Sequence, residues 1–223
     1  MCGRFTLTLD PGELQELLEL GPFVHIVQPR YNIAPSQPIP IVKDHEKRSV
    51  ELYRWGFVPS WADDPKIGYR MINARSETAH EKPSFRAAFK RRRCLILADG
   101  FFEWHAEEKG APKTPYLFKL KNDTPFTFAG LYEHWQSPEG GELHTCTILT
   151  CKPNALVANY HNRMPVMLGD KSRWDWLDPK LQQDQLLDLL EPYPAEEMKC
   201  FAVSREVNSP QNDRPEILEP VIS

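Results

Sequence analysis

The sequence predicts an α+β fold, one domain on a curved, mainly antiparallel β-sheet or barrel-like core with peripheral helices. Three observations lead there. Short apolar runs of strand length recur along the 223 residues, while helical periodicity is confined to a few brief stretches. The 21 prolines outnumber the 11 glycines, which favours extended segments and rigid turns over a helical bundle. No repeat, low-complexity linker or composition shift marks a boundary, so residues 1–223 are expected to form a single domain.

Asp10 to Leu20 carries the first helix signal. Asp10 caps, Pro11 suits the first helical position, Glu13 completes a capping box, and Gly21-Pro22 stops the helix. Arg30 to Pro35 has neither period and reads as an ordered loop before strands at Ile39–Val42 and Ser49–Tyr53. Trp55 continues a strand and is expected in the core, whereas Trp61 has polar neighbours and is expected exposed. A helix from Ser84 to about Arg91 ends in the basic run Lys90–Arg93, read as a solvated complement to the helix dipole. Cys94–Ala98 is continuously apolar and reads as a buried central strand. Further strands are expected at Tyr116–Leu120, Phe126–Leu131, Leu143–Thr150 and Cys200–Ser204, with helices at Lys171–Leu177 and Pro179–Leu190.

Composition excludes several classes. A formal net charge of −4 is wrong for a broadly polyanion-binding protein, so any nucleic-acid contact must come from a local basic groove. Five cysteines are an odd number without a CxxC pair, which argues for reduced thiols over a disulfide framework or cysteine-rich zinc site. Cys94, Cys146 and Cys200 lie in or beside apolar runs and are expected buried. No HxH or HExxH motif, P-loop or GxGxxG is present, so neither a metal nor a cofactor is expected. With no signal sequence and no long apolar span, a cytoplasmic protein is expected.

The first residues carry the most distinctive chemistry. If Met1 is removed, Cys2 presents an α-amine and a thiol on adjacent carbons, a 1,2-aminothiol. Such a group captures aldehydes, nitrogen first and sulfur second, to close a thiazolidine ring. An α-amine with pKa near 8 is far more often neutral at pH 7 than a lysine, and the thiolate is the reactive form of the sulfur. Taken alone, Cys2 reads equally as an incidental residue of a frayed terminus. Glu103, within Phe101-Phe102-Glu103-Trp104, is either a proton-transfer carboxyl raised by apolar surroundings or the partner of an arginine. His161 and Asn73 likewise read as catalytic residues or as ordinary packing and turn residues.

These residues fall into blocks: Met1-Cys2-Gly3-Arg4-Phe5, Arg30–Pro35, Trp55–Pro59, Ile72–Thr78, Ala98–Trp104, His161–Pro165 and Ala202–Asn208. In that order they resemble the SRAP (SOS response-associated peptidase) family, whose members crosslink to abasic sites in DNA. The resemblance covers nearly the whole chain. It implies that Cys2 forms a thiazolidine with the ring-opened sugar of an abasic site in single-stranded DNA, with AP lyase chemistry as a side activity. Asn73 would orient the reacting groups, Glu103 would shuttle protons, and His161 would assist sugar-ring opening. Arg4, Arg75 and Arg163 match phosphate-gripping positions, Trp61 and Trp104 base-packing positions, Pro35 a wedge, and Thr150 a residue lining the site. The acidic pair Asp63-Asp64 departs from the expected DNA path. A monomer, nucleoid-associated when bound to DNA, is expected. A cysteine peptidase, including one that removes only its own Met1, and a non-catalytic reader of modified single-stranded DNA are the alternatives.

Overall fold

The computed structural model describes residues 2–106, 108 and 110–221, with only the backbone of Lys171. Expected removal of Met1 therefore concerns a residue outside the described ones. Among the described residues, thirteen strands run in chain order as β1 (Phe5–Leu7), β2 (Arg30–Ile33), β3 (Pro38–Val42), β4 (Val50–Trp55), β5 (Asn73–Arg75), β6 (Arg93–Ala98), β7 (Gly100–His105), β8 (Thr114–Leu120), β9 (Phe126–Gln136), β10 (Glu142–Cys151), β11 (Met164–Pro165), β12 (Met167–Leu168) and β13 (Met198–Ala202). Five short α-helices accompany them: α1 (Pro11–Leu18), α2 (Ser76–Ala79), α3 (Arg86–Arg91), α4 (Asp170–Leu177) and α5 (Gln183–Asp188). Among the described residues, no helix is long and apolar enough to cross a membrane.

Five strands close into a barrel. β4 pairs with β3, β3 with β6, β6 with β9 and β9 with β10, all antiparallel. A short parallel step, Thr145 with Arg54 and Cys146 with Trp55, returns β10 to β4. β5 adds to β10 in parallel, so Asn73 lies opposite Ile148 and Arg75 opposite Thr150. Closure removes the exposed edges of these strands. The expected mainly antiparallel, curved core is what forms.

A second, antiparallel sheet has the order β13-β8-β7-β1-β2. It joins the barrel through aromatic contacts: the Phe5 ring meets Trp55 at 5.2 Å and Phe128 at 5.7 Å, both edge-on. Trp55 is fully buried, as expected, and its indole N–H donates to the Ile72 carbonyl at 2.8 Å. Gly56, the next residue, has φ +139, and a Cβ there would lie 2.8 Å from the Gly68 carbonyl. Glycine is therefore required where the chain leaves β4.

The capping box of α1 forms as read: Asp10 Oδ1 accepts from Gly12 and Glu13 N–H, and Glu13 returns a bond to the Asp10 N–H. Three local expectations are corrected. Arg30–Ile33 is strand β2 rather than loop, because it pairs with β1. Arg93 is buried, since its guanidinium donates to the carbonyls of Phe89, Lys90, Trp176 and Asp178 and lies over the Trp176 ring. Cys200 is only partly buried, although all five cysteines are free thiols.

Asp99 occupies the single residue between β6 and β7. Its carboxylate accepts from the Thr6 hydroxyl at 2.6 Å, the Thr8 N–H at 2.5 Å and the Thr8 hydroxyl at 2.6 Å. These bonds fasten the three-residue β1 to the junction between barrel and sheet. Asp99→Ala leaves buried donors unsatisfied and is expected to cost about 2–4 kcal/mol. Urea unfolding measures this, and a loss below about 1 kcal/mol would show that β1 is held by packing alone.

Candidate active site at the N-terminal strand

β1 and β7 are antiparallel, with Phe5 opposite Phe101 and the Phe102 N–H donating to the Arg4 carbonyl at 3.0 Å. Following that register, the segment leading into β1 runs beside Glu103. Cys2 is fully buried there, and its carbonyl accepts from Asn73 Nδ2 at 2.7 Å. Asn73 belongs to β5, so it does not merely close a turn. Its Oδ1 is buried with no hydrogen-bond partner among the described residues. An acceptor therefore points into the site beside Cys2, ready for an N–H, O–H or S–H donor.

Glu103 is 4% exposed. Burial raises its carboxyl above the ordinary range, against the pull of His161 and Lys113. Burial and then the negative charge of Glu103 push the Cys2 thiol up as well. Cys2, Asn73, Glu103 and His161 are thus gathered at one place, from four separate parts of the sequence. His161 follows a short turn at 157–159, and its Nδ1 lies 3.0 Å from the Arg163 N–H and 3.2 Å from the Arg163 carbonyl. An N–H always carries its hydrogen, so Nδ1 serves as acceptor and the ring proton belongs on Nε2.

The expected phosphate-gripping arginines fall into different situations. Arg163 forms a bidentate pair with Glu77 at 2.6 and 2.8 Å and also donates to the carbonyl of Thr150. Thr150 is buried, one face of its hydroxyl toward Arg163 at 3.3 Å and the other toward the Ala74 carbonyl at 3.4 Å. The hydrogen bonds from Arg163 hold the Glu77 carboxyl below its ordinary range, with Arg75 adding to the effect. Arg75 itself is exposed at the end of β5. Arg4 is turned inward, donating to Asn32 Oδ1 and the Val207 carbonyl, both at 2.7 Å. Its guanidinium also lies 5.7 Å from the Trp104 ring centre, and Trp104 donates to Asn208 at 2.7 Å.

Pro35 sits in the turn after β2. The next residue, Ser36, has φ +71 and donates its N–H to the Trp55 carbonyl at 2.7 Å. Trp61 is 60% exposed, as expected, but on a separate loop. Asp64 is a capping residue, accepting from the Lys66 N–H at 2.8 Å, so its acidity serves the backbone.

Sequence reasoning missed two features. Asn32 is fully buried and donates to the carbonyls of Val207, Ser209 and Asn212, while Asp213 accepts from the N–H groups of Tyr31 and Asn32. The tail at 205–213 is thereby built into the support of Arg4. The signal was present in the polar asparagine inside an otherwise apolar Tyr-Asn-Ile run, but its partners in the tail lie 175 to 181 residues away. Tyr69 is the second: like Trp61 it is 60% exposed, and the Arg54 guanidinium lies 5.2 Å from its ring centre.

Comparison with known proteins extends these observations. Residues 1–210 match the family described as SOS response associated peptidase (SRAP). The chain is 48% identical over 225 residues to abasic site processing protein YoqW of Bacillus subtilis, covering 98% of this chain and 99% of the relative. It is 35% identical over 270 residues to abasic site processing protein HMCES of Gallus gallus, covering 99% and 78% respectively. A crystal structure of a protein from Bacteroides thetaiotaomicron superposes with a TM-score of 0.88 at 27% identity, covering 99% of this chain and 100% of the other. A family match over most of the chain, relatives matched along nearly its full length and a shared fold agree with the seven sequence blocks, and the chain belongs to the SOS response associated peptidase family.

Proposed function

We propose that this protein processes abasic sites in single-stranded DNA by capturing the sugar aldehyde covalently through Cys2, once Met1 has been removed. The observation that carries the proposal is the juxtaposition of Cys2, an acceptor on Asn73 and a buried Glu103 in a chain whose relatives are named for abasic site processing.

The chemistry follows from the groups present. The α-amine of Cys2 adds to the aldehyde carbon of the opened sugar. A proton delivered by the Glu103 carboxyl lets hydroxide leave as water, and a Schiff base remains. The thiol then adds across the C=N bond; its proton passes to the imine nitrogen, with Glu103 as relay, and the five-membered thiazolidine closes. One water is released in all. A raised carboxyl suits a group that must both give and take a proton. Nitrogen attacks first because the thiol, raised by burial, is mostly protonated. That same raised thiol disfavours the peptidase alternative, including removal of Met1 by Cys2, because a cysteine peptidase needs a ready thiolate. His161, with its proton on Nε2, would aid opening of the sugar ring. Arg75 and Arg163 would hold phosphates and Thr150 would line the site. Arg4, turned inward, would brace Trp104 against a base, with Pro35 and Trp61 on the strand's path.

Three outcomes test this. A chain extended before Cys2 and confirmed uncleaved by mass spectrometry should fold and bind single-stranded DNA. It should form no denaturation-resistant adduct with an abasic site, because its nitrogen is an amide. Equal crosslinking by that chain would rule out the α-amine as nucleophile. Glu103→Gln should slow crosslinking by about 100-fold or more while leaving affinity for abasic DNA within a few-fold.

The same variant carries a stability signature. Below the ordinary glutamate value of 4.5 the carboxyl is protonated in both the folded and unfolded chain, and the buried neutral form contributes fully. As pH rises through the raised folded value, ionisation in the buried site takes that stability away. Glu103→Gln should therefore melt above wild type at pH 8 and together with it near about pH 4. A variant less stable at pH 8 would mean that ionised Glu103 is a structural partner.

Glu77→Gln should free Arg163 for phosphate. Affinity for single-stranded DNA should rise several-fold and the salt dependence should steepen by about 0.7 in log–log slope. Unchanged affinity and slope would assign the Glu77–Arg163 pair to structure alone.

A further inference from the structure

Away from Cys2, three metal-ligating side chains converge on the β9–β10 hairpin. His134 and His144 are direct cross-strand partners, so they project from one face, and Glu142 shares that face two residues before His144. Glu142 Oε1 lies 3.0 Å from His144 Nε2 and 3.6 Å from His134 Nδ1. The ligand atoms of all three lie within 4.8 Å of one another. A zinc-type ion about 2.0–2.1 Å from nitrogen and oxygen ligands in a tetrahedral array requires ligand atoms about 3.3 Å apart. The two separations from Glu142 Oε1 lie on either side of that value.

The surroundings orient the ligands. Tyr53 Oη lies 2.7 Å from His134 Nε2. Lys43 donates to that oxygen at 2.9 Å and is itself paired with Glu51 at 3.0 Å. In the tautomer that carries its proton on Nε2, His134 donates to the phenol oxygen, which has a lone pair left beside the Lys43 bond, and Nδ1 presents its lone pair toward Glu142. An outer hydrogen bond of this kind fixes tautomer and ring orientation at metal sites. The Tyr53 ring stacks on His144 at 5.1 Å, and the two imidazoles stack at 4.3 Å, so both rings are braced. Side-chain exposures of 39%, 45% and 41% for His134, Glu142 and His144 leave solvent access for a fourth ligand.

We propose that His134, Glu142 and His144 bind one divalent transition-metal ion of the zinc type, with the remaining position open to water. Two imidazoles and one carboxylate favour such an ion over magnesium or calcium, which prefer oxygen-only ligands. No local motif announces the site, because its histidines come from two strands and meet only through the hairpin register. Bound metal would pin those strands beside Trp135, whose indole donates to the Ala62 carbonyl at 2.6 Å, next to Trp61.

The test is a titration of the metal-stripped full chain with zinc against a chromogenic chelator, with cobalt(II) as spectroscopic probe. Wild type should bind one equivalent. His144→Asn and Glu142→Gln, each checked for folding by circular dichroism, should bind at least tenfold more weakly. Bound cobalt should give a spectrum without a thiolate charge-transfer band. Unchanged affinity in Glu142→Gln, whose side chain is too exposed to threaten the fold, would overturn the proposal. So would a thiolate band, which would assign the metal to cysteine.

Discussion

The carboxylate of Asp99 is the constraint on which the candidate site depends. β1 is three residues long, too short to hold its place by sheet pairing alone. Asp99 lies where the barrel strand β6 hands the chain to β7, and it takes three hydrogen bonds from Thr6 and Thr8. Charge-assisted bonds of this kind are stronger than neutral ones. Barrel, second sheet and N-terminal strand are thereby joined at one residue, and Cys2 is set in place by the anchored strand it leads into. The Asn73 bond to the Cys2 carbonyl fixes the other end. Any loosening at Asp99 would be felt at Cys2 as loss of alignment with Glu103.

Two opposed electrostatic environments meet around that strand. Inside, burial drives Cys2 and Glu103 toward their neutral forms. At the rim, the hydrogen bonds from Arg163 hold the Glu77 carboxyl in its charged form. The interior costs stability wherever Glu103 is ionised, which is the kind of cost that proteins carry at sites of chemistry. The rim costs little, because each charge is paired and partly hydrated.

Much of this was legible in the sequence, for physical reasons that differ by residue. The Asp10–Glu13 capping box was readable because its bonds close within four residues. Trp55 and Cys94–Ala98 were readable as core because apolar surface has few other destinations. The gathering of Cys2, Asn73, Glu103 and His161 was accessible through family resemblance; their spacing of 30 to 71 residues encodes nothing locally. Long-range polar bonds hid the rest. Arg93 looked like the end of a solvated basic run until the carbonyls of α3 and α4 enclosed it. Arg30–Ile33 looked irregular because its prolines flank the strand instead of interrupting it, and β1 supplies the pairing.

The net charge of −4 then bears on how a polyanion would be received. Arg4 is spent on Asn32 and Val207, and Arg163 on Glu77 and Thr150, so of the three matched arginines Arg75 alone stands exposed. A phosphate arriving at Arg163 must exchange with the Glu77 carboxylate. Both present two oxygens to the fork of a guanidinium, so the geometry of the bond carries over and little is gained from the exchange itself. Under the proposed function, affinity would come instead from the exposed Arg75, from stacking on exposed rings at Trp61 or Tyr69, and from capture at Cys2. Under the proposed chemistry, a site built this way would resist undamaged polyanions through its own acidic partner, and capture of a reactive aldehyde at Cys2 would hold the strand after the exchange.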